Sequence, residues 1–270
     1  MSGIGVIVDK NIPFIKGVLE PYCDVRYLAG GEISAEECSD VDALIVRTRT
    51  KCDEKLLGQS SLSFIASATI GTDHIDKDYL AKRGIMFANA PGCNACGVMQ
   101  YVITSLFYIL SKKRLDLRGA TLGVIGAGNT GERVARMAEG LGLKVLRNDP
   151  PKGERCDLET LLRSSDIVSC HLPLDGTTVN LLDSSKLSLI KRGAIFINAS
   201  RGEVVDPEAL LRCSERFAGM VLDVFKGEPL NIDRRLFDRA DIVSPHIAGY
   251  SFEGKINGTA AVVQKFAAHF

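Results

Sequence analysis

Two stretches of this sequence combine residue types that chemistry can use. The first is GVIGAGNTGERVARMAEGLGLKVLRNDP, in which Gly126, Gly128 and Gly131 stand in a G-x-G-x-x-G pattern. In that spacing Gly126 allows a tight turn and Gly128 lets a pyrophosphate approach the backbone. Gly131 lets a helix press against the preceding strand. The helix would open at Asn129 and Thr130, and its N-terminus offers unpaired N–H groups and a positive dipole end to an anion. Asp149 follows about twenty residues on, at the end of the next apolar run, where a carboxylate suits the ribose hydroxyls of NAD and repels the 2′-phosphate of NADP. Arg147 lies nearby and could soften that preference. The second stretch is SPHIAGYSFEGK, which sets His246 between a proline and a run of small residues. Imidazole changes charge near neutral pH and is suited to proton transfer. The local residues alone do not separate that role from an ordinary place at a strand end.

Both stretches belong to an alternation of strands and helices. IGVIVD, DVRYL, DALIVR, LSFIASA and GIMFAN read as strands, rich in Val, Ile and Phe and bounded by turn formers. IPFIKGVLEPY and HIDKDYLAKRG carry helical spacing between them. A long helix is expected from about 95 to 112, after which the alternation restarts with TLGVIGA and runs to ADIVSPH. A last helix covers SFEGKINGTAAVVQKFAAHF. The expected fold class is therefore α/β, with two Rossmann-like, doubly wound parallel-sheet domains and an interdomain cleft. Residues 1–90 form the first domain and 91–250 the dinucleotide-binding one. The helix over about 251–270 is expected to pack back on the first domain.

Lys plus Arg equals Asp plus Glu, so the net charge is zero, and broad electrostatic binding to nucleic acid or to an anionic membrane is not expected. The opening MSGIGVIVDKNIP lacks a basic flank and is interrupted by Asp9, which argues for a buried strand over a signal peptide. The longest apolar run, GVMQYVITSLFYIL, is too short to span a bilayer and contains Gln100. Eight scattered cysteines suit free thiols in a reducing cytoplasm. Cys93 and Cys96 form a lone C-x-x-C and are read as packing groups in a turn before the long helix; no metal site is expected.

HLPLDGTTVNLL (171–182), NASRGEVVD (198–206), LDVFKGEP (222–229) and PHIAG (245–249) occur in this order. Together they resemble the D-2-hydroxyacid dehydrogenase family. The resemblance implies an enzyme that exchanges a hydride between NAD(H) and C2 of a 2-hydroxy or 2-oxo acid. It makes His246 the base, and the acid in the reverse direction. It makes Glu228 the carboxylate that orients the ring and favours its protonated form. Arg201 would grip the substrate carboxylate and polarise the C2 oxygen through its planar fork. Ala199, Ser200 and Arg201 would line the cofactor, Asp223 would lie near the nicotinamide amide, and Gly249 would let the chain pass close to it. A strand-end cap is the other reading of Asp223. His171 is taken as scaffold.

TIGTDHID, NAPGCNA, NDPP, HIAGYSFEGKINGT, IVDKNIPF and DALIVRTRTK narrow the resemblance to a branch of that family. That branch oxidises a phosphorylated four-carbon 2-hydroxy acid in pyridoxal phosphate synthesis. By this likeness Thr48, Thr69 and Tyr250 contact the substrate, while Arg47, Arg49 and Lys51 could supply charge to its phosphate. Members usually continue into a further C-terminal dimerisation domain. The sequence ends at Phe270, and a homodimer is expected. Leu172 stands where the pattern often has threonine, and Gln100 where it often has glutamate. Two other readings stand beside this one. One is a related dehydrogenase, such as one using 3-phosphoglycerate; the other is an NAD-sensing protein without turnover.

Overall fold

A computed structural model describes residues 3–153 and 156–270. The chain divides into two compact units, Met1–Asn94 with Ser251–Phe270, and Ala95–Tyr250. The first is built on five strands: β1 (Ile4–Asp9), β2 (Cys23–Leu28), β3 (Ala43–Val46), β4 (Phe64–Ser67) and β5 (Met86–Asn89). They are all parallel, in the order β2-β1-β3-β4-β5. β3 and β4 are buried along their whole length, as parallel strands covered on both faces must be. Alternation then sorts their side chains. Ile7, Leu44, Val46 and Ile65 pack on one face with Leu57 of helix α1 (Glu54–Leu57) and Leu80 of α2 (Lys77–Arg83). Val6, Val8, Ile45, Phe64 and Ala66 pack on the other.

The spacing over 12–22 predicts a helix, and the structure corrects this. The segment is a succession of turns. Pro13 lacks an N–H, and Phe14 and Gly17 sit at φ +62° and +82°, which a right-handed helix excludes. Ile12, Ile15 and Leu19 are nevertheless buried against the sheet. Apolar spacing reported which side chains are covered; the backbone conformation followed from the proline and the glycine.

The second unit has six parallel strands: β6 (Thr121–Ile125), β7 (Lys144–Asn148), β8 (Ile167–Cys170), β9 (Ile195–Asn198), β10 (Gly219–Leu222) and β11 (Ile242–Val243). Their order is β11-β10-β9-β8-β6-β7. One face carries α3 (Ala95–Lys113) and α4 (Asn129–Gly140), whose Val102, Leu106, Ile109, Val134 and Ala138 join Val124 and Val221. The other carries α5 (Leu158–Ser164), α6 (Ser184–Leu189) and α7 (Pro207–Cys213), which bury Leu161, Leu187 and Leu210 against Val168 and Phe196. The short α1 and α6 are not marked in the sequence by a long apolar period. Each is a turn or two of helix opened by an aspartate cap, Asp53 and Asp183.

α8 (Phe252–His269) returns to the first unit. Ser251 caps it by accepting from the Gly254 N–H at 3.0 Å. Val262 and Phe266 complete the core around Phe64, and Thr259 donates to the Pro13 carbonyl at 2.7 Å. Two glycines inside this helix have a packing reason. A Cβ on Gly254 would stand 2.9 Å from Asn94 Cβ, and one on Gly258 2.9 Å from the Ala68 carbonyl oxygen. Close approach of the helix offsets the cost of glycine in a helix interior. Among the described residues no helix is long and apolar enough to cross a membrane.

Candidate active site

In a doubly wound sheet, ligands bind outside the carboxyl ends of the strands, where the strand order reverses. In the second unit that point lies between β6 and β8. The glycine loop leaves β6 there, and Asp149, His171, Ser200, Arg201 and Asp223 follow the ends of β7, β8, β9 and β10. His246 follows β11. Chain direction thus gathers residues distant in sequence onto one edge of the sheet.

The three glycines of the loop answer to different neighbours. A Cβ on Gly126, at φ +88°, would come 2.6 Å from the His171 carbonyl oxygen, and one on Gly131 2.0 Å from that of Gly126. Those two are required by the protein's own packing. A Cβ on Gly128 would meet no atom within 4 Å. The open space over Gly128, at the N-terminus of α4, fits a group from outside the chain, as an incoming pyrophosphate requires. His171 lies at the same switch point. Its Nε2 is 2.9 Å from Ser169 Oγ, and its buried Nδ1 has no hydrogen-bond partner among the described residues. Burial pushes its pKa down to about 4, so the ring is neutral near pH 7. The residues present therefore fit a dinucleotide.

Arg147 does not oppose Asp149. Its guanidinium donates to Glu132 at 3.0 Å and to Glu139 at 2.7 Å, both on α4, and its side chain is only 12% exposed. Held by two carboxylates, it has little positive charge to offer a 2′-phosphate. Asp149 is half-buried just beyond the end of β7.

Arg201, Glu228 and His246 lie in the same unit, on the segments after β9, β10 and β11. Asn198, last residue of β9, shapes the first segment. Its Oδ1 accepts from the Ser200 N–H and hydroxyl at 3.1 and 2.9 Å, and its Nδ2 donates to the Arg201 carbonyl at 3.0 Å. Gly202 then passes against the second segment. A Cβ there would sit 2.0 Å from the Phe225 carbonyl carbon, so only glycine fits. Glu228 accepts from the Phe225 N–H at 3.1 Å through Oε2 and pairs with His246 Nδ1 through Oε1. Partial burial raises the Glu228 pKa. The bond and charge of His246, the Phe225 amide and the charge of Arg201 outweigh it, so the carboxyl lies below its usual range. Nδ1 being engaged, Nε2 is the ring nitrogen left for a substrate, and the side chain is 44% exposed.

The Asp223 carboxylate acts as a strand-end clamp. It accepts from Ser244 Oγ at 2.6 Å and from the N–H groups of Ile247 and Ala248, each at 2.8 Å. Its carbonyl accepts from the His246 N–H at 2.7 Å. These bonds hold His246 at φ +55°, an uncommon conformation for a side chain that is not glycine. Tyr101 of α3 reaches Ser244 Oγ at 2.5 Å and extends the network. The sequence reading missed Asn198, Gly202, Ser244 and Tyr101. Ser244, just before the proline of SPH, carried a local signal; Tyr101, read as an apolar helix position, carried none.

In the first unit, Arg47, Thr48 and Thr69 follow the ends of β3 and β4. The two loops are tied together, with the Cys52 N–H donating to the His74 carbonyl at 2.8 Å and the Asp76 N–H to the Cys52 carbonyl at 2.9 Å. Of the three basic residues there, Lys51 pairs with Asp53 at 3.0 Å and Arg47 donates to the Asn11 carbonyl at 3.1 Å. Arg49 and Thr48 are exposed. Tyr250, 67% exposed, ends the second unit just beyond Gly249.

A dinucleotide-ready switch point and an imidazole–carboxylate pair on one sheet edge define the class as a nicotinamide-dependent oxidoreductase. The NAD-binding domain of the D-isomer specific 2-hydroxyacid dehydrogenases matches residues 109–248, more than half of the chain, and the protein belongs to that family. It is 41% identical to erythronate-4-phosphate dehydrogenase of Bacteroides fragilis over 98% of this chain and 80% of the relative. It is 43% identical to the Pseudomonas entomophila protein of that name over 97% and 71%. Among solved structures, D-lactate dehydrogenase from Aquifex aeolicus, complexed with NAD and lactic acid, superposes with a TM-score of 0.83. The identity is 27%, with 99% of this chain and 95% of that one covered. NAD is the cofactor of the family domain.

Proposed function

We propose that this protein oxidises 4-phospho-D-erythronate to 3-hydroxy-2-oxo-4-phosphooxybutanoate with NAD, a step toward pyridoxal 5′-phosphate. The single observation that carries the chemistry is the Glu228–His246 pair, with Nε2 left free and Arg201 close enough to act on Glu228 electrostatically. The relatives' shared name carries the choice of substrate.

NAD, held at the open Gly128 loop and by Asp149, would supply the hydride acceptor for C2. As that C–H electron pair leaves, the C2–O bond becomes a carbonyl and the hydroxyl proton passes to His246 Nε2. Glu228 holds the ring by Nδ1 and offsets the imidazolium charge that develops. Arg201 binds the substrate carboxylate and polarises the C2 oxygen. Ala199 and Ser200 contribute to the cofactor site, and Asp223 holds the turn that presents His246 and Gly249. Thr48, Thr69 and Tyr250 contact the acid, with the basic group around Arg47 favouring its phosphate. The same reading makes the protein a cytoplasmic homodimer. Among the described residues its cysteines form no disulfide, and exposed Phe107 and Tyr108 on α3 offer apolar surface to a second copy.

The test is NAD reduction with 4-phosphoerythronate, unphosphorylated erythronate, 3-phosphoglycerate and D-lactate. The first should give the highest kcat/KM, about tenfold to a hundredfold above erythronate, the worth of one charged hydrogen bond. Preference for 3-phosphoglycerate would replace the substrate assigned here, and NADH binding without turnover of any acid would point to a sensor.

A second expected outcome concerns the pair itself. In Glu228→Gln the carboxylate that holds the ring by Nδ1 and offsets its developing charge is gone, and kcat should fall by about tenfold or more while NADH affinity stays at the wild-type level. Wild-type kcat in that variant would break the assigned pairing.

A further inference from the structure

A chain of three polar side chains runs through the carboxyl end of β4 in the first unit. Thr69 Oγ1 is 3.2 Å from the Gly71 carbonyl oxygen and 2.8 Å from Ser67 Oγ. Ser67 Oγ is in turn 3.0 Å from His74 Nε2. Ser67 is fully buried, and His74 and Thr69 are half-buried. Burial lowers the His74 pKa, against a smaller opposing effect of Asp73, so the ring is neutral near pH 7.

The protons in this chain can be placed by counting. A carbonyl has no hydrogen, so the Thr69 hydroxyl donates to Gly71. Its one hydrogen is then used, and the bond between Thr69 and Ser67 takes the hydrogen of Ser67. Ser67 has none left, so the bond to His74 is made by Nε2–H. One arrangement satisfies all three contacts, and it runs from His74 through Ser67 and Thr69 to the Gly71 carbonyl. The neutral ring must hold its proton on Nε2.

The last bond is the longest of the three and is long for a hydroxyl donor, whose usual distance is about 2.7–2.8 Å. It is the one an incoming acceptor would exchange. We infer that His74, acting through Ser67, directs the Thr69 hydroxyl hydrogen away from the protein's own side chains and toward an anionic oxygen of the substrate. A hydroxyl that accepts one bond is also the stronger donor in its next. Without Nε2–H the chain can reverse, because Thr69 can then donate to Ser67 and present only lone pairs to an anion. His74 is a positioning residue in this scheme. The inference rests on the reading of Thr69 as a substrate contact. The shared ligand chemistry is an oxyanion, carboxylate or phosphate.

The test is a double-mutant cycle on the KM for 4-phosphoerythronate. Thr69→Val alone should raise it; no change there would remove the underlying substrate contact. His74→Leu should raise it roughly tenfold, the worth of one hydrogen bond to a charged acceptor, and should add nothing in the Thr69→Val background. In His74→Leu the KM for NAD should stay within about twofold, since the cofactor does not enter this chain of bonds. His74→Gln, whose amide N–H can stand in for Nε2–H, should restore most of the loss. Ser67→Ala cuts the same chain with a smaller change and should follow the same non-additive pattern. Additive effects of His74→Leu and Thr69→Val, or a Gln variant as impaired as the Leu variant, would overturn the inference. Repeating the cycle with unphosphorylated erythronate separates the sources. Coupling that persists places the hydrogen on the carboxylate, and coupling that vanishes places it on the phosphate.

Discussion

Replacing His246 by asparagine should leave NADH binding at the wild-type level and lower turnover by at least about two decades. The substitution is matched to its position. His246 sits at φ +55°, and asparagine is among the few residues that tolerate the left-handed region. The bonds that hold this turn are donated by the N–H groups of residues 246, 247 and 248 to Asp223 oxygens, and none of them uses the imidazole. An asparagine amide can bond to Glu228 but cannot take up a proton near neutral pH. What is lost is the acceptor for the C2 hydroxyl proton. Steady-state oxidation of 4-phosphoerythronate and an NADH fluorescence titration of the same preparation measure the two halves. Turnover within tenfold of wild type would place the base elsewhere.

The second large effect separates two glycines of one motif. Gly131→Ala should lower the stability of the second unit by about 3 kcal/mol, the upper end of what overpacking a tight contact costs. Its Cβ would stand 2.0 Å from the Gly126 carbonyl oxygen and 3.0 Å from Val124 Cγ1, so the helix must move off the strand. Gly128→Ala should fold as wild type, because its φ of −73° suits alanine and its Cβ meets nothing. Its methyl would occupy the space assigned to the pyrophosphate, and NADH affinity should fall by about tenfold or more, at least 1.4 kcal/mol. Urea unfolding reads the first variant and NADH titration the second. Wild-type NADH affinity in Gly128→Ala would mean that the loop does not hold the cofactor.

The contrast between those glycines also marks how far local sequence reaches. The G-x-G-x-x-G spacing identified the turn and the helix that follows, since both are made by neighbours in the chain. That Gly126 also serves the fold depends on His171, some forty-five residues on along the chain and beside the loop only because β8 lies next to β6. The same limit applies to charge. Arg147 read as a neighbour of Asp149 and a possible brake on NAD preference; its carboxylate partners are on α4, brought over it by the packing of α4 against β6 and β7.

The sequence by itself determined the α/β class, most of the strands and long helices, the dinucleotide loop and the family, because each is written in local periodicity or in ordered short motifs. Its apolar spacing over 12–22 found the buried residues Ile12, Ile15 and Leu19 but not the turns that carry them. Only the tertiary structure decided that the Asp223 carboxylate clamps the His246 turn and that Asn198 and Gly202 shape the Arg201 segment. It also decided that His74 reaches Thr69 through Ser67. The reason is physical. A side chain's chemistry is a property of one residue, whereas the partner that orients it or takes its charge is set by the path of the backbone, within a turn for Asn198 and Ser67 and between distant segments for Asp223.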